Sequence, residues 1–154
     1  MGLETTLPLF EQEAHLVTER SRLTGGLTFQ ILKHSGVSLA HIVEIRRLRE
    51  ATGQSCDVTT DPAWFVAKTI AEKRRPWLVL VRQSGGLVAV LQLAEKCFFS
   101  IPTGYLRGGD AFGQGFLIAS PHSREMLLRA GLEALFGRTH AQFLLLSLDA
   151  SKHN

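Results

Sequence analysis

A chain of 154 residues, 45% hydrophobic and 20% charged, is long enough to bury one core and ordinary for a single globular domain. Seventeen Lys and Arg against fourteen Asp and Glu leave a formal charge of only +3, too small an excess to argue for a nucleic-acid partner. No apolar run approaches the length of a membrane span, and the opening MGLETTLPLFEQE lacks the basic start and apolar core of a secretory signal. A cytoplasmic protein with no membrane among its partners is therefore expected. Cys56 and Cys97 form no CxxC pair, and two buried, reduced thiols suit that compartment.

Residues 1–26 are weakly periodic, end in Thr24-Gly25-Gly26, and read as an N-terminal extension ahead of a domain spanning 27–154. Leu27 to Leu32 alternates apolar and polar at first, as a half-buried strand does. Ser38 can cap a helix over 39–52 that carries Ile42, Val43, Ile45 and Leu48 and stops at Gly53. Its Arg46, Arg47 and Arg49 read as a solvated face. Asp61-Pro62 is a second start, a capping carboxylate followed by proline in the first turn. It opens a helix over 62–74 with Ala63, Val66, Ala67 and Ile70 on one face, widened by Trp64 and Phe65. Lys73, Arg74 and Arg75 end that helix, where positive charge is favoured.

Pro76 to Leu93, PWLVLVRQSGGLVAVLQL, holds two branched apolar runs, Trp77–Val81 and Leu87–Leu91, around a short break with a glycine pair. That is the pattern of an antiparallel hairpin. Neither run alternates cleanly, so both faces are expected to be covered. The segment from Gly104 to Gly115 holds five of the fourteen glycines and reads as a turned connection. Phe116–Ala119 is a short strand, and Ser120-Pro121 repeats the cap-then-proline start. The helix that follows, over 121–136, places Leu127, Ala130, Gly131, Ala134 and Leu135 on one face and Glu125 and Arg129 as an exposed pair, with Gly137 as its stop. Phe143–Leu148 is too short for a buried helix and reads as an interior strand. A closing strand–helix–strand unit implies a parallel crossover. The fold class is thus α/β: a mixed sheet with a central antiparallel hairpin and a parallel β-α-β crossover.

Chemistry is harder to find. Gly108 to Gly113 has the spacing of a phosphate loop, but Gln114-Gly115 stands where Lys-Ser or Lys-Thr belongs, so no charge meets the phosphates. The six histidines show no zinc-ligand spacing, and no metal is expected. Tyr105, Arg107 and Asp110 offer a phenol, a guanidinium and a carboxylate within six positions, which in a cleft could bind a polar substrate and on an open surface would be unremarkable. His122 and Ser123, beside a helix start, could satisfy first-turn backbone donors. No residue identifies itself as catalytic.

The order of elements resembles the first two-thirds of the GCN5-related N-acetyltransferase (GNAT) fold. DPAWF, RRPWLVLVRQSGGLVAVLQL and IPTGYLRGGDAFGQGFLIAS are similar to the N-terminal half of tandem-GNAT, cellulose-biosynthesis-type acetyltransferases, over roughly residues 27–148. The resemblance implies an acyl-CoA N-acyltransferase-like protein, with acetyl-CoA or another acyl-CoA held at the loop after the fourth strand. Ser120, His122 and Ser123 occupy that loop here, but Ala119 to Glu125 contains no glycine and Pro121 has no N–H to give. The resemblance also implies a domain that stops before its last helix and two strands. An impaired or absent CoA loop is thus expected, and whether the chain is an enzyme stays open. The alternative is a non-catalytic GNAT-like interaction or substrate-binding module. Either way, the uncharged Phe143–Leu148 strand edge is expected to find a second copy or a partner domain.

Overall fold

In a computed structural model that describes residues 19–20, 26–109, 112, 117–120 and 123–147, the apolar stretch at 76–93 lies at the centre of a sheet. Its strands are β1 (Glu19–Arg20), β2 (Leu27–Lys33), β3 (Arg74–Gln83), β4 (Gly86–Phe98), β5 (Ile101–Gly109), β6 (Leu117–Ala119) and β7 (Phe143–Ser147). Three helices accompany them: α1 (Leu39–Ala51), α2 (Pro62–Ala71) and α3 (Arg124–Arg138). Strand order is β1-β2-β3-β4-β5-β7, with β6 paired to β4. All pairs are antiparallel except β5 with β7, so the sheet is mixed. Among the described residues no helix is long and apolar enough to cross a membrane.

The hairpin forms as its residues suggest. Ser84 and Gly85, at φ 50° and 83°, make a two-residue turn of the hand that suits twisted strands. Pro76 to Val81 and Ala89 to Glu95 are buried without a break. Alternation along β3 and β4 divides their side chains between two cores. Trp77, Val79, Val81, Leu91 and Leu93 face Leu127, Ala130, Ala134 and Leu135 of α3. Leu78, Leu80 and Val90 face Ile45 of α1 and Phe65 of α2. Both faces of the centre are covered, as expected.

The caps at Ser38 and Asp61 form: the Ser38 hydroxyl accepts from the His41 amide, and the Asp61 carboxylate accepts from the amides of Ala63 and Trp64. The buried stripe of α2 differs from expectation. It runs Pro62, Phe65, Thr69, while Trp64 and Ile70 face outward. The helix also ends sooner: Lys73 turns the chain at φ 56°, and Arg74 and Arg75 begin β3 instead of closing α2.

Three further corrections concern the second half. The glycine-rich segment is not a connection throughout, because its first part is β5, with Gly104 and Gly109 at φ 74° and 117°. A β-carbon on Gly104 would stand 2.6 Å from the His140 carbonyl oxygen, and on Gly109 2.0 Å from that of Ser147. The glycines therefore serve close approach of β7. Second, α3 begins at Arg124 with Ser123 as its N-cap, not at 121, and it runs past Gly137 to Arg138. Its expected buried face, Leu127, Ala130, Gly131, Ala134 and Leu135, is the one found. Third, among the described residues β7 stands at the edge of the sheet and not in its interior.

The sheet forks beside α3. β5 and β6 are both antiparallel to β4, β5 along Ala94–Phe98 and β6 along Ala89–Leu91, so they run in one direction. β7 lies parallel to β5, from Tyr105 opposite Phe143 to Gly109 opposite Ser147. β6 stays with β4, and α3 links the two prongs, β6 and β7.

Candidate functional site

Tyr105 and Arg107 stand on β5, two residues apart and on one face, while Asp110 lies outside the described residues. Leu106 between them enters the α3-side core, so their side chains point to the α1/α2 side. Tyr105 meets Phe143 with ring centroids 5.9 Å apart. Arg107 donates to Glu72 at the end of α2, and its guanidinium sits 4.7 Å from the centroid of Phe112. Lys68 also binds Glu72.

Charges at this corner are unequal. Burial pushes the Glu72 carboxyl up, but the hydrogen bond and charge of Lys68 and those of Arg107 outweigh it and hold the group below its ordinary range. Arg74 is pushed down, first by burial and then by the charge of Arg107. Three cations, Lys68, Arg74 and Arg107, thus share one carboxylate, and Glu72 is engaged as a counter-ion. The corner can hold an anionic group more readily than it can remove a proton.

The second expected set lies elsewhere. Ser120 and Ser123 line a cavity of about 230 Å³ with Leu48, Thr52, Gln83, Leu87, Val88, Met126 and Leu127, between α1, the β3–β4 turn and the start of α3. His122 lies outside the described residues. Arg107 is opposite Ala94, and Ser120 follows the Ala119–Ala89 pair. About six residues of β4 separate them, roughly 20 Å at ~3.3 Å per residue. The structure does not bring the two sets into one site.

The cavity gives a direct test of fit for a CoA pyrophosphate. Among the described residues its lining contains no Lys or Arg, and the Ser123 side chain makes no capping bond. A doubly charged group at a helix N-terminus is stabilised by converging backbone donors and nearby cations. The residues lining this cavity suit an uncharged, largely apolar group instead and do not fit the pyrophosphate.

Two polar clusters escape the sequence reading. Arg49 is not part of a solvated face: it is buried, donating to Thr60 Oγ1 at 2.8 Å, Asp61 Oδ2 at 2.9 Å and the Asp57 carbonyl at 2.8 Å. Arg46 donates to the same Asp61 at 2.9 Å. This network clasps α1 to the start of α2. The second cluster surrounds Glu95, buried at the base of the fork. It accepts from Trp77 Nε1 at 3.0 Å and the Gly104 amide at 2.9 Å, with His140 Nε2 at 2.8 Å. One carboxylate thereby ties β3, β5 and the α3–β7 link. No spacing in the sequence joins residue 95 to residue 140; only strand register does. The thiols also differ from expectation, since Cys56 is exposed and Cys97 half-buried, both unpaired. Among the described residues no three His, Cys, Asp or Glu side chains gather as metal ligands.

No protein-family model, no curated protein and no solved structure matches this chain.

Proposed function

We propose that the chain is a GNAT-related, acyl-CoA N-acyltransferase-like domain that by itself holds acyl-CoA weakly or not at all. The fork carries this reading: β5 and β6 continue one direction along β4, β7 leaves parallel to β5, and α3 connects β6 to β7. The resembled family holds its acyl donor at the loop between a strand and the crossover helix that follows it, the place of Ser120 and Ser123 between β6 and α3 here, and sheet edges that diverge make natural clefts. Weak binding follows from the cation-free cavity at the start of α3. The Tyr105–Arg107 corner, roughly 20 Å away, is the substrate-facing candidate in this reading. Two unpaired thiols suit a reducing, cytoplasmic setting.

Calorimetric titration with acetyl-CoA is the test. The expected result is binding weaker than about 0.1 mM. Micromolar binding that Ser120→Ala or Ser123→Ala weakens would overturn the assignment of an impaired loop.

A second reading, a non-catalytic interaction module, draws on a different observation. The outward face of β7 is open, with Phe143 62% and Leu145 47% exposed. An edge strand with such exposed side chains favours pairing with a second copy or covering by a partner domain. Light scattering at micromolar concentration would find a homodimer that Leu145→Lys weakens. A monomer, or a folded variant with unchanged association, would count against this use of the strand.

A further inference from the structure

The end of the sheet opposite the α3 cavity carries a turn, between β4 and β5, that neither reading uses. Register brings Lys33, Arg74, Arg75 and Lys96 to this end, with Lys73 leading into β3. Here too β4 turns into β5 through Phe99-Ser100, closed by the pair Phe98–Ile101. Phe99 and Ser100 both have positive φ, 47° and 67°. A two-residue turn of that hand is least costly as Asn-Gly, and an aromatic side chain at its first central position is unfavourable. No internal burial offsets the cost. Phe99 is 85% exposed, Ile101 65% and Phe98 63%, and the recorded ring contact is between the two phenylalanines, 4.6 Å apart. The turn is nonetheless braced, with Arg75 Nη2 donating to the Ser100 carbonyl at 2.9 Å and Thr103 Oγ1 to that of Lys96 at 2.7 Å. An aromatic held outward at an unfavourable turn points to a contact outside the chain.

The charge around the tip has one sign. Lys33, Lys73 and Lys96 are exposed, and Arg74 and Arg75 half-exposed. The neighbouring carboxylates are engaged, Glu95 in its buried cluster and Glu72 with Lys68 and Arg107. We propose that this end of the sheet rests on an anionic lipid surface. The Phe98, Phe99 and Ile101 side chains enter the boundary between headgroups and acyl chains, and Lys33, Lys73, Arg75 and Lys96 face the headgroups. An exposed two-residue turn suits a bilayer, which demands no complementary pocket, better than it suits a protein partner, which must supply one for two rings. Three apolar side chains alone, or four cations alone, hold a protein only marginally; the two signals together give reversible surface binding. The expectation of no membrane partner came from the lack of a spanning run, and a protein lying on the surface needs none.

The test is co-sedimentation of the full chain with vesicles of pure phosphatidylcholine and of phosphatidylcholine mixed with phosphatidylserine. Binding to the mixed vesicles is expected to exceed that to the neutral ones by at least about tenfold and to fall steeply with salt. The double substitution Phe99→Asn, Ser100→Gly keeps the turn and improves its chemistry, so it should fold with an unchanged or raised Tm yet bind mixed vesicles about tenfold less. Lys73→Glu with Lys96→Glu should likewise lower that binding. Wild-type protein that stays in the supernatant, or a turn variant that binds as wild type does, would overturn the proposal. So would selective binding of a soluble Glu-Tyr copolymer, lost in the turn variant, with no binding to vesicles; that outcome would make the tip a docking site for an acidic protein. None of these readouts depends on acyl-CoA.

Discussion

β3 and β7 are apolar strands of one sheet, RRPWLVLVRQ and FLLLS, and they fare differently. From Pro76 to Val81 every residue of β3 is buried, whereas Phe143 and Leu145 of β7 stand open. The difference lies in the layers. Over β3 and β4, α3 covers one face and α1 with α2 the other. Over β5 and β7, α3-side packing buries Leu106 and half-buries Leu144 and Leu146, while the side bearing Tyr105, Phe143 and Leu145 is open. The apolarity of a strand thus states what it gains from cover, not whether its own chain supplies it.

The largest effect that separates the two regions is expected at Leu80, which has no exposed surface. Leu80→Ala should cost about 2–5 kcal/mol in urea unfolding, through lost burial and a residual cavity. Leu145→Ala should cost less than about 1 kcal/mol. Equal costs would mean that the flank is covered after all.

The same contrast can be drawn between neighbours on α1. Arg49→Met leaves Thr60 Oγ1 and the Asp57 carbonyl without this donor and deprives Asp61 of its buried partner. A loss of about 3 kcal/mol is expected by the rule for breaking a buried pair. Arg47→Met, at an exposed position, should fall within about 0.5 kcal/mol. Similar losses would show that Arg49 is not the clasp between the helices.

The seam between β5 and β7 is sharpened by Gly104→Ala. The new methyl would press on the His140 carbonyl from a residue at φ 74°. About 2 kcal/mol of destabilisation is expected from strain at such a position, with faster amide exchange in β7 than in β3 if the flank opens separately. Uniform exchange across all strands would argue for one cooperative sheet.

The smallest effect is pH dependence on the α1/α2 side. The hydrogen bond from Arg82 holds the Glu44 carboxyl below its ordinary range, despite some burial. Burial pushes Asp61 up, but the bonds and charges from Arg46, the Trp64 amide and the charge of Arg49 outweigh it and keep it low. Both folded values lie below the unfolded ones. Their contribution is therefore present above the unfolded carboxylate range, about pH 4, and is lost as pH falls through the depressed folded values. Chemical unfolding between pH 7 and 3 should show the decline, and Glu44→Gln should make it shallower. An unchanged slope in that variant would place the acid sensitivity elsewhere.

Much of the fold was legible because its signals are local. Ser38 and Asp61-Pro62 cap helices through atoms two or three residues away, and the face from Leu127 to Leu135 repeats at helical spacing. The hairpin was legible because apolar residues on both strand faces leave few alternatives to a covered position. β5 was not, since Gly104, Gly108 and Gly109 weaken strand propensity, while Gly104 and Gly109 serve close approach of β7. The expected site residues fared unevenly for the same reason. Tyr105 and Arg107 share a strand face because alternation is local, but their distance from Ser120 is set by pairing along β4.

By itself, then, the sequence determined the capped helices, the central hairpin and the mixed α/β class, all of which depend on spacings within a few turns or strands. Only the tertiary structure decided which cations are solvated, which carboxylates are engaged and which apolar strand is left open. Arg47 and Arg49 are two positions apart in the chain, yet one faces water and the other fills a pocket built by residues 55–61. Glu95 finds His140 across 45 residues because β4, β5 and the α3–β7 link converge at one end of the sheet. Such contacts depend on distance in space, which register and layer packing impose and which the order of residues along the chain does not express.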